Sequence, residues 1–301
     1  GLRSPMDWDK LRIFHVVAGA GSFTHAGDSL DLSQSAVSRQ IRGLEETLKV
    51  PLFHRHARGL ILTEQGELLH QTTSEVFAKL TAAEMLLSES KERPQGLLRI
   101  NTTVGFGSMW LTGVISEFLD NYPDIAVALL VGDDELDLSM READVAIRMA
   151  PPRQPDLIRR RLFRGRFAVF AIADYLNRFG TPRSMEDLTG HRVVTYGDRV
   201  SIPFLHINWL ADALREIDPE FQPAFTVNNL YGILRAVETG IGIALLPAFM
   251  GRQNPQLVRI LPEAEPPAAD GYFVYPEELK QSQRVMVFRD FLLRKLTEAP
   301  L

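Results

Sequence analysis

The sequence predicts a multidomain chain: an all-α helix-turn-helix module with a short wing, one long linker helix, then an α/β domain. Three observations predict it. Between residues 7 and 93 the only proline is Pro51, and apolar residues there recur at helical spacing. After Pro94 and Gly96 short β-rich runs alternate with helical stretches, which argues for βα units and a mostly parallel sheet. One helix candidate near the N-terminus carries an apolar stripe on one side and a polar, basic face on the other. At 301 residues, with about 100–200 residues per domain, two or three domains are expected.

The first helix is expected over Trp8–Ala18, with Leu11, Phe14 and Val17 on one face. Ser22 can cap a second, where Phe23, Ala26 and Leu30 align. Asp31 and Leu32 break it. Ser33 can cap a third, Gln34–Lys49, whose stripe is Val37, Ile41, Leu44 and Leu48. Three short helices with a tight turn between the second and third follow the helix-turn-helix plan. The opposite face of the third helix holds Gln34, Ser35, Ser38, Arg39 and Arg42. Such a face is either merely solvated or placed to read bases, since Gln suits adenine and Arg suits guanine in the major groove.

The next segment favours the second reading. Leu52 and Phe53 are apolar, Arg55 and Arg58 are basic, Gly59 turns, and Leu60–Leu62 is a short strand, so a two-strand wing is expected. From Ser33 to Thr63 five basic residues stand against two Glu, a local +3, whereas the whole chain is at -5. A basic patch on an acidic protein is the electrostatic footprint of one DNA-binding module. Thr63 can then cap a helix running to about Lys91, roughly 28 residues or about 42 Å. Leu69, Thr73, Val76, Leu80, Ala83 and Leu87 form a heptad-like seam on it. That seam either lies on its own domain or joins two subunits. The length of the helix favours the second.

Beyond Gly96, strands are expected at Leu97–Asn101, Ile125–Val131, Asp144–Ile147 and Phe167–Ala173. Further β or apolar runs are Arg192–Tyr196, Phe225–Val227 and Ile241–Leu246. Helices are expected near Gly107–Leu119, Leu136–Glu142, Leu230–Thr239 and Gln283–Leu296. The basic stretch Arg159–Arg166 splits between two strand faces, which fits a solvated edge strand better than an anion site.

Composition excludes several classes. There are 33 Lys+Arg against 38 Asp+Glu, so the chain is not wholly basic, and it has no cysteine. Disulfides, thiolate zinc sites and thiol catalysis are thereby excluded. No apolar run approaches the roughly 18 residues of a membrane span. Asp7, Asp9, Lys10 and Arg12 do not suit a signal peptide, so a cytoplasmic protein without membrane contact is expected. Met6 looks like a natural start, and residues 1–5 read either as a scar or as a short extension. Gly105-Phe-Gly107 lacks the third glycine of a dinucleotide fingerprint. No catalytic constellation, metal-ligand set or cofactor motif is found, so an enzyme is not expected.

The run GSFTHAGDSLDLSQSAVSRQIRGLEETLKVPLFHRHARGLILTEQG resembles the DNA-binding signature of LysR-type transcriptional regulators. The Ser-Phe, the Ser-Gln-x-Ala-Val-Ser-x-x-Ile-x-x-Leu-Glu, the Leu-Phe-x-Arg and the Leu-Thr-x-x-Gly stand in order over residues 7–66. Two positions depart from the pattern. Gly27 replaces a usual Ala and Ser35 a frequent Pro, which bears on operator preference. The resemblance implies that Gln34, Ser35, Ser38 and Arg39 contact bases or nearby phosphates. It places Arg55 and Arg58 at the minor groove and Thr63 at a phosphate; Arg42 is either a phosphate contact or solvated.

By the same resemblance residues 6–63 form the winged helix-turn-helix domain and 64–93 the dimerisation helix. A two-lobed, periplasmic-binding-protein-like effector domain follows, with lobe I at 96–165 and 271–301 and lobe II at 166–270. Its cleft would bind a small-molecule effector near Thr102, Thr103, Val131, Arg148, Thr195, Phe204 and Tyr231. From the residues alone Thr102 and Thr103 are equally an ordinary helix cap, and Arg148 equally a partner of Asp144 or Glu142. The implied partners are double-stranded promoter DNA, the effector, RNA polymerase and further copies of the chain, as a dimer and then a tetramer. The competing reading, a stand-alone solute-binding protein, leaves the first 93 residues without a role.

Overall fold

The computed structural model describes residues 6–56, 59–88, 93–134, 138, 142–154, 156–197 and 202–301. The chain divides into two compact units that meet in sequence between Glu84 and Met85.

The first unit opens with α1 (Trp8–Ala20), α2 (Phe23–Leu30) and α3 (Gln34–Leu48). Each start has a side-chain cap: Asp7 accepts from Asp9 N, Ser22 from His25 N, and Ser33 from Ala36 N. Each end has a residue in the left-handed region, Gly21, Asp31 and Lys49 in turn. Phe14, Val17, Ala26, Val37, Ile41 and Leu44 form the core between the three helices. The turn from α2 to α3 is tight enough that a Cβ on Gly27 would lie 2.6 Å from Leu32 O. That close approach accounts for glycine at this position. The wing is an antiparallel hairpin, β1 (Phe53–His56) and β2 (Gly59–Leu62), in register Phe53↔Leu62 and Arg55↔Leu60.

Helix α4 (Glu64–Ser88) follows. Its heptad-like seam divides. Thr73 is buried and Leu69 half-buried within the unit, whereas Leu80, Ala83 and Leu87 are exposed. The first half of the seam therefore packs on its own domain, and the second half has no cover among the described residues.

In the second unit come β3 (Gly96–Thr102), α5 (Val104–Phe106), a π-helical turn at Gly107–Leu111, α6 (Thr112–Asn121), β4 (Ile125–Val131), β5 (Val145–Arg148) and β6 (Leu157–Gly165). The chain crosses directly into β7 (Phe167–Ile172), α7 (Ala173–Phe179), α8 (Met185–Leu188), β8 (Val194–Tyr196), α9 (Trp209–Ile217) and β9 (Phe225–Val227). It continues through α10 (Leu230–Glu238), β10 (Ala244–Pro247), α11 (Met250–Gln253) and β11 (Leu257–Ile260), then returns by β12 (Ala269–Pro276) to α12 (Gln283–Glu298).

Two sheet systems result. One has the order β4-β3-β5-β12-β6, the other β10-β7-β11 with β8-β9 beside it. The expectation of a mostly parallel sheet is corrected to a mixed one. Strand β3 is parallel to β4 and β5, but β12 is antiparallel to both β5 and β6. The reason is topological: β6 carries the chain out of the first lobe and β12 brings it back, so the two run in opposite senses. The first core gathers Phe118, Phe273 and Phe288, with the stripe Val285, Phe288, Leu292 and Leu296 of α12 buried. The second gathers Val169, Tyr175, Leu210, Leu214 and Ile243. Strand β6 is the sheet edge, its Arg159, Arg160 and Arg161 exposed, with Arg161 3.9 Å from Asp270. The helix expected from Gly107 begins earlier, because Thr103 caps it by accepting from Phe106 N. The stretch expected as helix at Leu136–Glu142 lies mostly outside the described residues.

Candidate nucleic-acid interface and ligand cleft

Helix α3 sorts its side chains by face. Val37, Ile41 and Leu44 are buried, while Gln34, Ser35, Arg39 and Arg42 are exposed and Ser38 is half-buried. Ser35 sits 3.1 Å from the capping hydroxyl of Ser33. Neither Arg39 nor Arg42 has a side-chain partner among the described residues. Two positive charges and an amide thus face water from the first turns of one helix. This is a surface suited to a polyanion.

Of the two acidic residues of this segment, Glu46 is exposed and Glu45 is not. Glu45 turns its carboxylate inward, where one oxygen accepts from Leu52 N at 2.8 Å and Phe53 N at 3.3 Å. This bond holds the entry to the wing against α3. It was not foreseen from sequence, where Glu45 counts only as a charge. Thr63 is buried. It donates its hydroxyl proton to Pro51 O at 2.8 Å and accepts from Gly66 N at 3.0 Å. That proton is therefore not offered to a phosphate, and the residue serves as the cap of α4. The backbone of Arg55 lies on β1, and Arg58 lies outside the described residues.

Between the two lobes of the second unit lies an open, apolar cavity of about 50 Å³, continuous with solvent. Thr103, Gly105 and Phe106 border it from one lobe and Phe167, Phe204, Leu230 and Phe249 from the other. Met149, Phe163 and Gly165 lie near the crossing strands. Phe106 stacks on Phe163 at 5.5 Å between ring centres, and Phe167 lies 4.7 Å from Phe204. Gly105 permits the approach of the lobes, since a Cβ there would lie 2.7 Å from Leu230 Cδ2.

Of the positions expected at this site, Thr103 and Phe204 border the cavity. Thr102 is fully buried at the end of β3 and donates to Ile147 O at 2.9 Å. Arg148 is buried, and its guanidinium donates to Asn101 Oδ1, to Asp134 O at 2.7 Å and to Gly132 O at 3.4 Å. Thr195 is buried on β8, while Val131 and Tyr231 are exposed. Thr102, Val131, Arg148, Thr195 and Tyr231 are not among the residues that border the cavity. Phe106, Phe163, Phe167, Phe249 and Leu230 were not anticipated, because single apolar residues in separate elements look like core.

A second feature was also missed. Asp133, just after β4, accepts from Val104 N at 3.0 Å and from the Tyr196 hydroxyl at 2.8 Å, linking the two lobes. Burial pushes its carboxyl above the ordinary carboxylate value, opposed by the bonds from Tyr196 and Val104 and by the charge of Arg148. Among the described residues no cluster of side chains could hold a metal ion, and no helix is long and apolar enough to cross a membrane.

Comparison with known proteins places both regions. Residues 8–67 match the family model described as bacterial regulatory helix-turn-helix protein, lysR family, and residues 91–297 match that of the LysR substrate binding domain. The HTH-type transcriptional regulator CrgA of Neisseria meningitidis serogroup C (strain 8013) is 30% identical over 292 residues, 96% of each chain. A solved structure of CrgA from Neisseria meningitidis superposes with a TM-score of 0.57 at 27% identity, covering 97% of this chain and 99% of that one. The fold is also that of full-length CbnR solved with its target DNA, at a TM-score of 0.63 and 18% identity, covering 96% and 99%.

Proposed function

Because this chain belongs to the LysR family of transcriptional regulators and is not an enzyme, we propose that it binds promoter DNA through α3 and answers to a small molecule held between its two lobes. The observation that carries this reading is the polar face of α3, where Gln34, Ser35 and Ser38 accompany Arg39 and Arg42, two exposed cations without a side-chain partner among the described residues. Gln34 and Arg39 supply the base contacts and Arg42 a phosphate contact. Arg55 and Arg58 on the wing approach the minor groove. In the cleft, Thr103 and Phe204 touch the effector.

Copies of the chain pair through the uncovered part of α4, with Leu80, Ala83 and Leu87 at the seam. Two such dimers join through their effector domains and hold two DNA sites in the cytoplasm. The effector binds one arrangement of these domains better than the other, which shifts the DNA bend and the access of RNA polymerase. The differential affinity is essential, since a ligand that binds both arrangements equally shifts neither.

The test is selection of genomic fragments by the full chain at near-physiological salt, with Arg39→Ala alongside. Enrichment of a few promoter fragments that the variant loses is the expected result. Equal enrichment by both proteins would remove α3 from the recognition role.

A further inference from the structure

The groups at the lobe junction that would suit an anionic ligand are already engaged with a carboxylate of the chain itself. Val104 stands between Thr103 and Gly105, both of which border the cavity. Its N–H is given to Asp133 Oδ1, and Asp133 Oδ2 takes the hydroxyl proton of Tyr196 from the opposite lobe. Arg148 is close enough for its charge to act on Asp133, while its guanidinium is held by Asn101 and two backbone carbonyls. A backbone N–H, a phenol and a guanidinium make a donor set of the kind that seats a carboxylate. Here Asp133 takes the N–H and the phenol, and the guanidinium acts on it through its charge.

A ligand carboxylate brought to this point would face the negative charge of Asp133 with these donors already taken. Losing its hydration there would go uncompensated. The remaining wall is aromatic and aliphatic: Phe106, Phe163, Phe167, Phe204, Leu230 and Phe249. Arg166 also borders the cavity, but its side chain is exposed, and an exposed ion pair contributes little.

We propose that the cleft takes an uncharged, largely apolar ligand rather than a carboxylic acid, and that Asp133, bonded just behind the Thr103–Gly105 rim, sets this preference by filling the anion seat. This rests on the reading of the cleft as the effector site. The bond from the Tyr196 hydroxyl to Asp133 also ties the two lobes together.

The experiment is calorimetry on the full chain with matched probes: benzyl alcohol against benzoate, and 1-naphthylmethanol against 1-naphthoate. The alcohol of each pair should bind at least about tenfold more tightly, a difference of about 1.4 kcal/mol. Asp133→Ala releases the donors from Val104 and Tyr196, so the preference should shrink by at least about tenfold or reverse. Asp133→Asn keeps the shape while removing the charge, and should narrow the preference even if the alanine variant folds poorly. Tighter binding of the carboxylates by the unmodified chain, or a ratio unchanged in both variants, overturns the inference and leaves the cleft as a ligand site. If no probe binds, or if binding survives the cavity-filling Met149→Trp, the cleft reading itself falls and the inference with it.

Discussion

Arg39 and Arg42 lie three residues apart on the exposed face of α3, yet they should behave differently. Arg39 is placed for base edges, so Arg39→Ala should cost about 1–3 kcal/mol on the selected operator and little on unrelated DNA. Arg42→Ala should weaken both about equally and reduce the slope of log affinity against log salt by about 1. Binding titrations at several salt concentrations on both DNAs check the pair of outcomes. Much at this scale was legible in the sequence, because helical spacing alone sorts Val37, Ile41 and Leu44 from Arg39 and Arg42. Asp133 was not. It sits in a Gly-Asp-Asp turn, and its partner Tyr196 is 63 residues away. No local pattern marks a pair that only the folding of two lobes brings together. Thr63 shows both sides: its place as the cap of α4 was legible in the sequence, whereas the hydroxyl that the resemblance assigned to a phosphate is buried and donates to Pro51 O.

Two elements make testable contributions to stability. His15 on α1 and His70 on α4 have ring centres 5.6 Å apart. Burial lowers both imidazoles below their ordinary value of 6.5, and for His15 the neighbouring His70 adds to it. The unfolded chain then takes up protons more readily than the folded one. Stability should therefore be intact above about pH 6.5 and fall as pH drops through and below it. Thermal midpoints between about pH 7.5 and 5.5 should show this fall, and His70→Gln should lessen it; an unchanged pH profile would speak against the pair. On α12, Arg284 is buried and donates to Leu97 O at 2.9 Å and Met85 O at 3.3 Å. Arg284→Met strands both carbonyls and should destabilise the second unit by about 2–4 kcal/mol in denaturant unfolding. The apolar stripe of α12 was readable from its spacing. The role of Arg284 was not, since a charged residue beside such a stripe normally points to water. Likewise the mixed sheet escaped the reading, because strand direction depends on how often the chain crosses between lobes.

At the scale of the whole molecule, the order of domains was clear from the shift at Pro94 and Gly96 and from the motif over residues 7–66. The identity of the cleft wall was not, as its phenylalanines come from separate elements on both lobes. Assembly is the next question at this scale. Leu80 and Leu87 are 48% and 86% exposed on α4, so changing both to Glu should leave the fold intact while shifting the sedimentation coefficient to that of a smaller assembly. An unchanged coefficient would place the seam elsewhere. The central claim, that this regulator reads DNA through α3, is tested most directly by titrating one selected promoter fragment with the full chain and with Arg39→Ala at fixed salt. The account predicts that the variant binds roughly five- to 150-fold more weakly, the equivalent of about 1–3 kcal/mol, with its affinity for scrambled DNA nearly unchanged. Equal affinity of the two proteins for the promoter fragment would contradict it.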